Sequence, residues 1–168
     1  MPVVGPCESA LVLIKKILCP IDLSADMKKG MAYAISLAQE NKAELVFLYV
    51  VGFSGWDSAF PAQPDPVFCE VLGPRFSVND LCKKVVSRVE NLVVANFGRQ
   101  IMGLSWKAMI GLGNIAREVV SVAVGEKADL IIMARRKRDA LGRLLTRRIS
   151  EAVSDQAPCP VLIIHAEG

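Results

Sequence analysis

The stretch ELVFLYVV, residues 44–51, decides the fold class. After Glu44 come seven apolar side chains in unbroken succession, most of them β-branched or aromatic. A strand with one wet face would alternate apolar and polar residues; a continuous run fits a strand covered on both faces inside a parallel sheet. Parallel neighbours cannot be joined by a tight turn, so crossover helices must lie against the faces of that sheet.

Working upstream, ILCPI (residues 17–21) reads as the first strand, and Ser24 is placed to cap a helix whose first turn contains Asp26. Met27, Met31, Ala34, Ile35 and Ala38 recur at helical spacing up to about Asn41, although Gly30 costs that helix about 1 kcal/mol relative to alanine. Downstream, Pro61, Pro64, Pro66, Pro74, Gly55 and Gly73 make residues 52–76 a long surface loop. Ser77 and Asp80 resemble a capping box, and Leu81, Val85, Val89, Leu92 and Val93 trace a second helix to about Gly98.

SWKAMI (105–110) is the third strand, punctuated by Gly111 and Gly113. Asn114 then caps a helix bearing Ile115, Val119 and Val122, with Gly125 as its expected stop. DLIIMA (129–134) is the fourth strand. A basic loop follows, then a helical stripe of Leu141, Leu144, Leu145, Ile149, Ala152 and Val153 that ends before Pro158. VLIIH (161–165) is the fifth strand. The alternation predicts an α/β fold: a single doubly wound parallel sheet of five strands with helices on both faces, Rossmann-like in its winding.

The 168 residues are 52% hydrophobic and 22% charged, which suits one domain with a sizeable core and excludes disorder as the main state. Residues 1–15 read as an N-terminal extension and 16–168 as the domain. Mean hydropathy is +0.38, yet every apolar run falls short of the roughly 18 residues a membrane span requires. No basic region precedes the first apolar stretch, so a secretory signal is not expected. The cysteines at 7, 19, 69, 82 and 159 are odd in number and include no CxxC pair, which reads as reduced thiols in a cytoplasmic protein. With a single histidine, His165, no metal site is expected.

The net charge of +3 is unevenly spread. Arg135, Arg136, Lys137, Arg138, Arg143, Arg147 and Arg148 face only Asp139 within residues 135–148, so that stretch carries +6 and the remainder −3. Any anionic partner would meet a patch, not a uniformly cationic surface.

Five segments in order, ILCPIDLS (17–24), ELVFLYVV (44–51), GLGN entering a helix (111–114), ADLIIMA (128–134) and APCPVLII (157–164), resemble the universal stress protein family over nearly the whole chain. The resemblance implies strand order 3-2-1-4-5, with a ligand cleft between the first and fourth strands where the order reverses. Many members bind ATP through glycine, two residues, glycine, nine residues, then glycine and Ser or Thr, a pattern that brings backbone N–H groups and a helix N-terminus to the phosphates. Here those positions are Ala134, Lys137, Arg147 and Arg148, and none fits. Asp22 matches the family's acid that reaches the adenosine part of the ligand, and Val50 the position whose backbone meets the base.

Each of these residues also has a plainer role. Asp22 serves equally as a turn acid and Val50 as core packing. If Arg147 and Arg148 open the last helix they oppose its macrodipole, and a bound anion would relieve the conflict. Otherwise the arginines are solvated, pair with Asp139 and Glu151, and fill the space of a triphosphate. The loop carries no aromatic residue for stacking bases, so nucleic acid is not an expected partner. Cys19 and Cys159 read as structural; Cys69 and Cys82, in the loop and near a helix start, are the candidates for redox-sensitive thiols, without a charge pattern that would lower their pKa. His165 reads as strand packing, and Trp56 and Phe60 as packing within the loop.

The expectation is a cytoplasmic stress-response protein of the branch without the glycine signature, a dimeric binding or regulatory module and not an enzyme. The apolar edge Val161, Leu162, Ile163 and Ile164 would pair with its twofold mate. No cofactor is expected. The alternative is a switch binding ATP, ADP or AMP, with Arg135, Arg136, Lys137, Arg147 and Arg148 neutralising the phosphates and at most slow hydrolysis. A phosphate-bearing small molecule is the partner that alternative requires.

Overall fold

In the computed structural model, residues 13–22, 27–51, 78–135 and 140–165 are described, with backbone alone at 78, 81, 135 and 140–147. Five strands, β1 (Lys16–Ile21), β2 (Glu44–Val51), β3 (Trp106–Leu112), β4 (Leu130–Arg135) and β5 (Val161–His165), form one sheet in the order β3-β2-β1-β4-β5. All four pairings are parallel, as the continuous apolar runs require. From Leu45 to Leu48 every side chain is fully buried, and Ile17, Leu18 and Cys19 on β1 match them.

Alternate residues of these strands feed two cores. Ile17, Cys19, Leu45, Phe47 and Ile132 face α1 (Met27–Asn41) and α2 (Val78–Phe97), where Met31, Ile35, Val85, Val89 and Val93 meet them. Leu18, Val46, Leu48, Ile131 and Met133 face the opposite way, toward α3 (Ile115–Glu126) and α4 (Ala140–Gln156), and pack on Val119, Ala123 and Val153. Phe47 meets Trp106 of the edge strand edge-to-face, with ring centroids 6.0 Å apart. Such a pair adds about 1 kcal/mol to its area burial.

Helix ends differ in detail from the sequence expectation. Asn114 caps α3 as expected, its Oδ1 accepting from the Arg117 amide at 3.1 Å. Gly125, however, is not the stop. The helix continues to Glu126, and Lys127 takes the left-handed turn at φ 54°, its N–H donating to the Ala123 and Val124 carbonyls. α1 is described from Met27; Ser24, Asp26 and Ser77 lie outside the described residues, as do Trp56, Phe60 and the whole 52–76 stretch. β3 runs past Gly111 to Leu112, and β4 is displaced by one residue to end on Arg135.

Carrying α3 on to Glu126 has a purpose at the N-terminal end of the sheet. There Lys16 Nζ lies 2.9 Å from Glu126 and 3.0 Å from Glu44, while Lys107 Nζ lies 2.7 Å and 3.5 Å from the same two acids. Beside them the Asp129 carboxylate accepts from the Lys15 and Lys16 amides at 2.8 and 2.9 Å, tying the start of β1 to the start of β4. Lys107 first and Lys16 second hold the Glu126 carboxyl below its ordinary range. Glu126 first and Glu44 second hold Lys16 above its own, against the cost of burial.

A depressed carboxyl contributes stability that is present above its unfolded-state pKa and lost as pH falls through its folded-state value. A raised lysine contributes stability that is present below its unfolded-state pKa and lost only as pH rises through its folded-state value. Both contributions are therefore in place at neutral pH. Glu126→Gln is expected to lower the urea midpoint at neutral pH, with the gap to the wild type closing toward about pH 3. A gap of constant size in urea melts across that range would show that the Glu126 charge plays no part.

Candidate functional site

The register of the sheet assembles the candidate site as a single row across the C-terminal rim. Val50 lies opposite Gly111, and Arg135 opposite His165. Ile21 pairs with Tyr49, so Asp22, the next residue, falls beside Val50. Continuing the β1–β4 register from Leu18↔Ile131 sets Asp22 beside Arg135 as well. The row is thus His165, Arg135, Asp22, Val50 and Gly111, read from β5 to β3. It crosses the point between β1 and β4 where strand order reverses, where doubly wound sheets bind ligands.

Each member is placed by local structure. Asp22 is exposed just past the end of β1, and Val50 is 8% exposed with its side chain in the core beneath α3. Gly111 is buried, and the Glu118 side chain from the first turn of α3 lies over it: a methyl placed on Gly111 would stand 3.0 Å from Glu118 Oε2 and 3.2 Å from its Cβ. Val51 is drawn into the same turn, its carbonyl accepting from the Gly113 amide at 3.0 Å. Gly113 has φ 124°, a conformation that L side chains rarely adopt.

Ala134, at the first glycine position of the ATP signature, turns its side chain away from Val50 and toward α1, packing with the α1–α2 core. The contact there is tight. A methyl on Gly30 would come 2.8 Å from Ala134 Cβ, inside any normal carbon contact. Gly30, a weak point when α1 is read by propensity alone, is therefore what lets that helix seat against the end of β4. Its signal in the sequence is a mid-helix glycine without a capping role, which usually has a packing reason.

For the basic stretch the structure corrects one premise. Arg147 and Arg148 do not open the last helix: α4 starts at Ala140, which puts them at its eighth and ninth residues. A macrodipole acts within the first turn, so neither arginine opposes it. Arg148 is exposed; the Arg147 side chain is not described, and Arg136, Lys137, Arg138 and Asp139 lie outside the described residues. The Arg135 backbone closes β4, and its side chain is likewise not described.

Burial pushes the Cys19 thiol up to about 12, which leaves it a small hydrophobe. Cys159 is also raised, by burial and then by Asp129. Cys82 is half-buried, Cys69 lies outside the described residues, and His165 is exposed at the end of β5. On that edge strand Leu162 and Ile164 pack on one core and Val161 on the other, and Ile163 is half-buried. Among the described residues no three His, Cys, Asp or Glu side chains gather as a metal site, and no helix is long and apolar enough to cross a membrane.

An open parallel sheet wound in both directions, with helices on both faces, defines a doubly wound α/β domain. The chain belongs to the universal stress protein family, whose family model matches residues 13–165. A universal stress protein of Thermus aquaticus is 31% identical over 157 residues, covering 91% of this chain and 100% of its own. Among solved structures, UspA of Lactobacillus plantarum superposes with a TM-score of 0.64 at 21% identity, over 90% of this chain and 97% of its own. A universal stress protein in complex with cAMP gives 0.63 at 16% identity, over 92% and 99%.

The Gly30–Ala134 contact makes a prediction opposite to helix propensity. Gly30→Ala gains about 1 kcal/mol of intrinsic helix preference but overpacks the seat, at a cost of about 1–3 kcal/mol. The single variant is expected to unfold at lower urea than the wild type, and the double variant with Ala134→Gly to recover the loss. Greater stability in the single variant would show that α1 shifts freely on β4.

Proposed function

We propose that the protein is a dimeric binding and regulatory module of its family, not a conventional enzyme, and that it does not hold ATP through the family's glycine signature. One observation carries this reading: residues 140–148 are helical. Only the first four amides of a helix lack an intrahelical acceptor, so those of 144–148 are committed within α4 and unavailable to wrap a phosphate tail. The four signature positions carry alanine, lysine and two arginines, which points the same way. Self-association is supported by β5, an edge strand whose apolar Val161 to Ile164 are all half-buried.

A second reading is favoured by the structural relative that holds cAMP. In it the rim takes an adenine nucleotide, with Asp22 and the Val50 backbone toward the nucleoside and Arg135, Arg136, Lys137, Arg147 and Arg148 supplying charge for phosphate. Arginine grips phosphate bidentately and needs no glycine cradle.

Calorimetric titration with ATP, ADP and AMP separates the two. The first reading expects ATP to bind no more tightly than AMP. Micromolar ATP affinity that weakens on Arg147→Ala and Arg148→Ala would overturn it, and no binding of any of the three at millimolar concentration would remove the second.

For the edge strand, Ile163→Asp is expected to convert a dimer into a monomer in light scattering. A wild type that is monomeric at high concentration would overturn the dimer.

A further inference from the structure

We propose that the free edge of β3 is a self-association surface, on which the β3 strand of a second copy pairs antiparallel about a twofold axis. This edge lies at the opposite side of the sheet from β5, and pairing on it does not depend on pairing there.

The backbone of β3 is open on its outer side. The Leu45 amide donates to the Ser105 carbonyl at 2.9 Å, and the Gly113 amide to the Val51 carbonyl at 3.0 Å. The odd-numbered residues therefore turn their N–H and C=O groups toward β2, while Trp106, Ala108, Ile110 and Leu112 turn theirs outward. Burial agrees with this. Every residue of β3 except Gly111 is half-buried, whereas on β2 every residue after Glu44 is buried.

Proteins blunt such an edge with short strands, prolines, bulges or free charges. β3 has seven residues against five in β5. It contains no proline, and its register with β2 runs from Trp106 to Leu112 without a bulge. Its one charged residue, Lys107, is drawn onto the sheet's own acids, with Nζ 2.7 Å from Glu126 and 3.5 Å from Glu44. What remains is an apolar ladder of outward N–H and C=O groups, a template for another strand.

The fit of the strand to itself selects a second copy as the occupant. An axis through Met109 sets Trp106 opposite Leu112 and Ala108 opposite Ile110, so that outward groups meet outward groups along the whole strand. Lys107 then stands opposite Gly111, which keeps the two lysines apart, and every other pair is apolar. A slip of one residue would set outward groups against inward ones and lose the ladder. With β5 pairing at the other edge, dimers joined through β3 continue the sheet into tetramers and longer assemblies.

The test is sedimentation of the full chain from micromolar to millimolar concentration. The wild type is expected to form species larger than a dimer as concentration rises. Ile163→Asp, monomeric at micromolar concentration, is expected to pair through β3 at millimolar concentration. Ala108→Pro removes an outward donor and leaves the ladder to β2 intact. Met109→Lys brings two like charges together at the axis, where the facing Cα atoms approach to about 4.5 Å. The twofold axis counts each change twice, so either variant is expected to raise the concentration needed for the larger species at least about tenfold, with circular dichroism of the dilute protein showing a retained fold.

A wild type that stays dimeric at millimolar concentration overturns the self-pairing, leaves β3 to some other extended segment, and leaves the β5 dimer standing. Larger species that persist unchanged in both folded variants overturn it as well, as does an Ile163→Asp protein that is monomeric at every concentration. If Ala108→Pro and not Ile163→Asp breaks the wild-type dimer, pairing through β5 falls and pairing through β3 stands.

Discussion

The constraint on which everything else rests is that β1 and β2 have no wet side. From Ile17 to Cys19 and from Leu45 to Leu48 the side chains are fully buried although they point alternately to opposite faces. Each face must then be covered, and only helices in the connections can cover both sides of a parallel sheet. Once α1 and α2 lie on one face and α3 and α4 on the other, the C-terminal ends of all five strands point the same way. The rim follows from the burial requirement, and the chemistry of the site is what the chain places on that rim.

The two ends of the sheet have different work. At the N-terminal end Lys16 and Lys107 pair with Glu44 and Glu126, while Asp129 accepts from the Lys15 and Lys16 amides, and together they tie β1, β2, β3, β4 and the end of α3 to one another. At the C-terminal end the exposed Asp22 follows β1, and the Glu118 carboxylate lies over Gly111 of β3. A compensated network leaves little field for a ligand. Two glycines hold that second arrangement in place: Gly30 admits α1 against Ala134, and Gly111 admits Glu118 over β3.

Parts of the site were legible because they depend on position along a strand. Asp22 after the first apolar run and Val50 near the end of the second could be set on the rim by counting, and the register bears this placement out. The loss of glycines at 134, 137 and 147 was equally plain. Glu118 escaped notice because it sits in an ordinary amphipathic helix, and its proximity to Gly111 is a relation between two elements. Gly30 was misread for the same reason, since propensity scores a residue against its own helix and knows nothing of the strand behind it. The arginines at 147 and 148 were weighed as a possible helix start, but the start of α4 is a matter of hydrogen bonding seven residues earlier.

By itself, then, the sequence determined the number, type and order of the elements, the parallel sheet and the family, because hydrophobic periodicity and strand-by-strand burial are local properties written along the chain. Only the tertiary structure decided which side chains meet. Glu126 reaches two lysines from β1 and β3 because α3 passes Gly125 without stopping, and Ala134 faces α1 and not the core that holds Val50 because of the pleat of β4. Those outcomes depend on distances of a few ångströms between residues far apart in sequence, and such distances are fixed by close packing of the whole domain.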